Sequence, residues 1–93
     1  MNKEQGQRYY VDPKTLSLKQ IRAIQALSAR GRPAPVADGV VHCGRASFRV
    51  AVAIELDKLG IMYRTNTELG ECWVLSKVGA AIAPRIQRWR VDI

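Results

Sequence analysis

The run from Arg45 to Gly79 leaves the backbone few options. It reads RASFRVAVAIELDKLG, then IMYRT, then NTELGE, then CWVL and SKVG. Phe48, Val52, Leu56 and Leu59 recur at helical spacing and predict a helix over about Ala46 to Leu59 with one core face. Gly60 stops it, and Lys58 suits the negative end of the helix dipole. Two short β-prone runs follow, Ile61 to Thr65 and Cys72 to Leu75, joined by Asn66-Thr67-Glu68-Leu69-Gly70-Glu71, which has the Asn and Gly of a hairpin loop. Ser76 then caps a last helix from Lys77 to about Ala83, and Pro84 interrupts it.

Upstream, residues 1 to 16 read as a basic arm, lacking periodicity and containing Gly6 and Pro13. Its Arg8, Tyr9 and Tyr10 are of the kind that contacts phosphates and stacks on bases, or simply packs the arm on the body. Ser17 and Gln20 fit a capping box, and Leu18, Ile21, Ile24 and Leu27 place a first helix up to about Ala29. Gly31 and Pro33 end it. The segment PVADGVVHCG, Pro35 to Gly44, admits two readings. Pro35 at a first turn favours a short second helix, whereas Gly39 and the β-branched valines favour a strand VVHC. The helix is the preferred assignment.

A chain of 93 residues is one domain. No apolar run approaches the roughly 20 residues that span a bilayer, and the N-terminus has no export signal, so a cytoplasmic protein is expected, DNA-associated if it binds there. Cys43 and Cys72 read as reduced thiols in that context. The net charge of +7 sits in the flanks: residues 1–32 carry seven basic against two acidic side chains, 33–79 carry five of each, and 80–93 carry three against one. Such a balance favours polyanionic partners and says nothing of fold.

In this pattern Arg45 to Gly79 resembles the second half of a winged helix-turn-helix domain. Leu56, Leu59, Gly60 and Ile61 match the signature that ends the recognition helix of that superfamily, and Leu75, Ser76 and Gly79 match the one that closes its wing. With the first two helices the resemblance covers residues 17–83, leaving 84–93 as a basic tail. It implies an α+β, mostly α architecture: three helices, a two-stranded wing hairpin and a C-terminal helix or tail. A small solitary winged helix is similar to accessory proteins of phages and mobile elements, some of them regulators and others inhibitors of host nucleoprotein machinery.

The resemblance implies a non-enzymatic DNA-binding regulator, RNA being the related alternative. Arg45, Ser47 and Arg49 become the groove contacts at the start of the third helix, arginine because its fork can donate two hydrogen bonds to a guanine edge. Arg22, Arg30, Arg32, Arg64, Arg85, Arg88 and Arg90 become phosphate contacts. Three features point elsewhere: Glu68 and Glu71 make the wing acidic, Ala46, Val50 and Ile54 line the outward side of the third helix, and residues 33–79 are net neutral. Together with Leu69 these form a candidate interface for a protein partner or a second copy. For catalysis the sequence offers little. His42 is the single histidine, Cys43 and Cys72 lack metal-ligand spacing, and Glu55 and Asp57 diverge on a helix. No cofactor, metal or small-molecule ligand is indicated, and Trp73 and Trp89 read as packing residues.

Overall fold

The computed structural model describes residues 11–86. A short 3-10 turn, Pro13–Thr15, leads into α1, Leu18–Arg30. The capping box forms as its spacing predicts: the Gln20 amide donates to Ser17 Oγ (3.2 Å), and the Ser17 amide donates to Gln20 Oε1 (2.9 Å). Gly31, at φ 73°, closes the helix with its N–H on the Leu27 carbonyl. Ile21, Ala23, Ile24 and Leu27 form the buried face.

The next stretch departs from the preferred reading. Instead of a second helix it forms three strands, β1 (Ala34–Ala37), β2 (Val40–His42) and β3 (Ser47–Arg49). The reason is local. Asp38 and Gly39 both take positive φ, 55° and 76°, the type I′ geometry whose twist suits a tight hairpin, and the flanking valines pack well on a pleated surface. A second turn, with Gly44 at φ 91° and the Cys43 amide on the Ala46 carbonyl (2.9 Å), returns the chain as β3. Phe48 pairs with Val41 there, so the predicted helix loses its first turn to the sheet. It becomes α2, Val50–Lys58, with no side-chain cap at its start.

The end of α2 keeps to expectation. The Gly60 amide bonds the Asp57 carbonyl and the Ile61 amide bonds the Leu56 carbonyl, both at 2.9 Å, the paired bonds of a Schellman motif. Leu56 and Ile61 are both fully buried. β4 (Met62–Thr67) and β5 (Gly70–Leu75) form the predicted hairpin, but it is not a separate wing. β1 pairs with β5, and the five strands make one antiparallel sheet in the order β3-β2-β1-β5-β4. The mostly helical, two-stranded-wing architecture is thereby overturned; the fold is α+β, with three helices against one face of a five-stranded sheet. β1 divides its pairing: Ala34 and Pro35 face β5, while Val36 and Ala37 face β2.

The last helix, α3 (Lys77–Ile86), runs through Pro84 rather than stopping at it. The missing proline N–H leaves one helical bond unmade, yet Ile82, Ala83 and Ile86 are buried and hold the last turn, and Gln25 Nε2 of α1 donates to the Ile86 carbonyl (3.0 Å). At the other end of α3, Ser76 Oγ lies within hydrogen-bond reach of the Gly60 and Ile61 carbonyls and accepts from the Gly79 amide. Gly79 sits so close to the Ile61 carbonyl that an added Cβ would overlap it. One core cluster joins all of this: Ile24, Leu27, Ala34, Val41, Leu56, Ile61, Met62, Trp73, Ile82 and Ile86.

Gly79→Ala is therefore expected to destabilise the fold by about 3 kcal/mol through overpacking against backbone, and Ser76→Ala by roughly 1–2 kcal/mol through the lost cap. Urea unfolding midpoints check both. A Gly79→Ala protein as stable as wild type would mean that α3 does not sit this close to the α2–β4 turn.

Candidate nucleic-acid interface

The three residues assigned to groove contact do not lie on a helix. Arg45 is exposed in the turn between β2 and β3, and Ser47 and Arg49 are exposed on β3. Alternation along the strand puts Ser47 and Arg49 on one face of the sheet, opposite the Phe48 face that enters the core. His42 stands directly across from Ser47, exposed on β2. The in-out alternation of Val41 and His42 along β2 marks the histidine as outward.

β3 is also an edge strand, and its backbone is part of the surface. The Cys43 amide bonds the Ala46 carbonyl and the Val50 amide bonds the Gly39 carbonyl. Ladder alternation then ties Phe48 to Val41 and turns the N–H and C=O groups of Ser47 and Arg49 away from β2. Beside that free edge runs α1. Arg22, Ala23, Gln25 and Ala26 line an open groove of about 420 Å³ with Ala46, Ser47 and Phe48. Arg22 and Ser47 thus share the groove, while Arg45 in the preceding turn and Arg49 on β3 are exposed along the same edge, whose Ser47 and Arg49 amides meet no other described strand. Neither Arg45 nor Arg49 has an ion-pair partner among the described residues.

The remaining arginines are dispersed. Arg30 is half-buried, its Nε donating to the Pro33 carbonyl (2.9 Å), with its charge felt at Cys43. Arg32 is exposed in the α1–β1 loop and shares a second open groove with Thr67, Glu68 and Leu69. Arg64 is engaged on β4: its guanidinium is 3.6 Å from Glu71 and lies over the Trp73 ring at 5.8 Å. Arg85 is exposed in the last turn of α3. Arg88 and Arg90, with Trp89 and the arm residues Arg8, Tyr9 and Tyr10, lie outside the described residues.

Helix α2, the expected reading helix, is poorly suited to a phosphate-lined groove. Its exposed positions include Ile54, Glu55, Asp57 and Lys58, and Glu55 accepts a hydrogen bond from Gln20 Nε2 (3.0 Å). The alternative apolar strip also dissolves: Ala46 belongs to the turn before β3, Val50 is half-buried against the core, and Ile54 alone stays exposed on the helix. Glu68 and Leu69 form the β4–β5 turn, with Glu71 exposed just beyond it on β5. Arg45 and Arg49 stand at the β3 edge with no carboxylate paired to them among the described residues, whereas at the β4–β5 end Glu68 and Glu71 share the surface with Arg32 and Arg64.

No group of three His, Cys, Asp or Glu side chains among the described residues is arranged to hold a metal ion. No described helix is long and apolar enough to cross a membrane. Both cysteines are buried as free thiols. Burial pushes the Cys43 thiol above its ordinary value, and nearby Arg30 offsets part of that rise. A thiol held protonated is the reverse of what a nucleophile requires. Because the folded value is the higher one, the stability Cys43 contributes is complete below the ordinary thiol range and is lost as pH climbs through the folded value. Urea midpoints at neutral and alkaline pH should show wild type losing more stability than Cys43→Ala; equal losses would mean that Cys43 titrates normally in the fold.

Comparison with protein-family models, with curated proteins and with solved structures finds no match to this chain.

Proposed function

We propose that the chain binds nucleic acid, without chemistry of its own, along the β3 edge and the adjoining face of α1. The observation that carries this reading is the exposure of Arg45, Ser47 and Arg49 along a strand edge whose Ser47 and Arg49 amides point outward, with Arg22 in the groove beside Ser47. Backbone amides and guanidinium groups are the donors that hold phosphate oxygens, and arginine does so through two parallel bonds. Because β2 is bonded to β1, the edge meets a duplex at its phosphate backbone rather than as a free ribbon in a groove, and duplex DNA, with phosphates on both strands, is the ligand of choice for it. Long-range attraction comes from the overall charge of +7. Glu68 and Glu71 stand at the other end of the sheet, where they do not oppose the phosphates at β3.

The reading is tested by fluorescence anisotropy with a random-sequence duplex over a range of salt. Binding should weaken steeply as salt rises, with a log–log slope of about −3 if three phosphates are neutralised. Replacing both Arg45 and Arg49 by alanine should lower affinity at least tenfold and flatten the slope by about two, one for each phosphate contact removed. Arg64→Ala, at the engaged arginine of β4, should leave affinity within about twofold, since that side chain lies outside the binding edge. Absence of salt-dependent binding at micromolar protein, or wild-type affinity in the double variant, overturns the proposal.

A further inference from the structure

The opposite edge of the sheet invites a different partner. β4 is six residues long and in unbroken register with β5, from Met62 opposite Leu75 to Thr67 opposite Gly70. It contains no proline, lysine or bulge, the devices that usually keep an edge of this length from pairing. Its one charged side chain, Arg64, is drawn back over its own sheet by Glu71 and Trp73. The Ser76 amide bonds the Ile61 carbonyl (2.9 Å), so alternation along the ladder directs Tyr63, Thr65 and Thr67 toward β5. It leaves the N–H and C=O groups of Met62, Arg64 and Asn66 facing outward. No described strand lies beyond β4.

The surroundings of this edge suit a protein rather than a polyanion. Five large hydrophobic residues are exposed in the described chain. Four of them, Ile54, Leu59, Tyr63 and Leu69, lie on α2, just past its end, on β4 and in the β4–β5 turn. Asp57 lies here beside Lys77, Glu68 beside Arg32 and Glu71 beside Arg64, so the charges of this margin offset one another and two copies of a strongly basic chain can meet here without bringing their β3 edges together.

We propose that β4 pairs antiparallel with β4 of a second copy, about a two-fold axis at Thr65. Complementarity selects the register. Centring the pair on Arg64 would set like charges directly opposite each other, which is destabilising. Moving the axis to Thr65 puts Arg64 opposite the second copy's Asn66, Tyr63 opposite its Thr67, and Thr65 opposite itself. Aromatic with β-branched and threonine with threonine are favourable cross-strand pairs. In that register Arg64 and Asn66 are the residues whose backbone groups point outward, so they exchange N–H···O=C bonds in both directions. Each copy uses the same strand, which closes the assembly at two and leaves both β3 edges free.

The proposal stands apart from the nucleic-acid reading, and its test uses the full chain without nucleic acid. Sedimentation across low to high micromolar concentration should show the mass rising from one copy to two. Over the same range, hydrogen exchange at the Arg64 and Asn66 amides should slow. Asn66→Pro removes an N–H that the β4–β5 ladder does not use, so the variant should fold and stay monomeric throughout. A wild-type mass that stays at one copy or grows past two overturns the proposal. So does a dimer that persists in folded Asn66→Pro, or exchange at Arg64 and Asn66 that ignores concentration. If Asn66→Pro fails to fold, wild-type exchange decides: slowing at those two amides supports the pairing, and no change sinks it.

Discussion

The packing of α1, α2 and α3 into one core depends on how closely α3 can approach the turn between α2 and β4. Gly79 allows backbone to rest on backbone at the Ile61 carbonyl, and the Ser76 hydroxyl bridges the same turn. That contact joins two junctions far apart in sequence, the end of α2 and the start of α3, into one rigid corner. With the corner made, Ile82 and Ile86 of α3 reach Ile24 of α1 and Leu56 of α2 in a single cluster. A side chain at position 79 would lift the helix away, and every one of those contacts would loosen together.

The elements legible in the sequence are those that carry their own local signal. Ser17 with Gln20 marks α1, Gly60 ends α2, and Ser76 opens α3; each is satisfied by bonds within a few residues or at the adjoining turn. Residues 34 to 49 carry no decisive local signal because the interactions that fix them are distant. Asp38-Gly39 was a hairpin signal, but Pro35 fits a first helical turn as well as a strand, and what decides is pairing with Cys72 on β5. Phe48 has the periodicity of a helix face and also that of a strand face; its partner Val41 makes it a strand residue. At Pro84 the local rule lost to burial of its neighbours. Arg45, Ser47 and Arg49 are spaced two apart, which suits one side of a strand better than one face of a helix, and β3 sets Ser47 and Arg49 on one face.

The charge pattern gains meaning only through strand order. Along the chain, residues 33–79 are net neutral, with five basic and five acidic side chains. Folding sends Arg45 and Arg49 to one edge of the sheet, and Glu68 and Glu71 to the region of the other. A neutral segment thereby acquires an edge whose arginines lack carboxylate partners among the described residues, while Arg64 and Glu71 offset each other at the far side. No amount of counting charges in sequence order reveals this, because β3 and β4 are separated in the sheet by three other strands.

The divided pairing of β1 has a consequence for communication across the molecule. The β2–β3 ribbon and the β4–β5 hairpin share no ladder; each is bonded to a different half of one four-residue strand. Pro35, at the changeover, has no N–H to give. A distortion at one margin therefore meets a short, weakly bonded seam before it can travel through the backbone to the other. The sheet behaves as two panels joined by a narrow strip, and occupancy of one panel need not alter the affinity of the next.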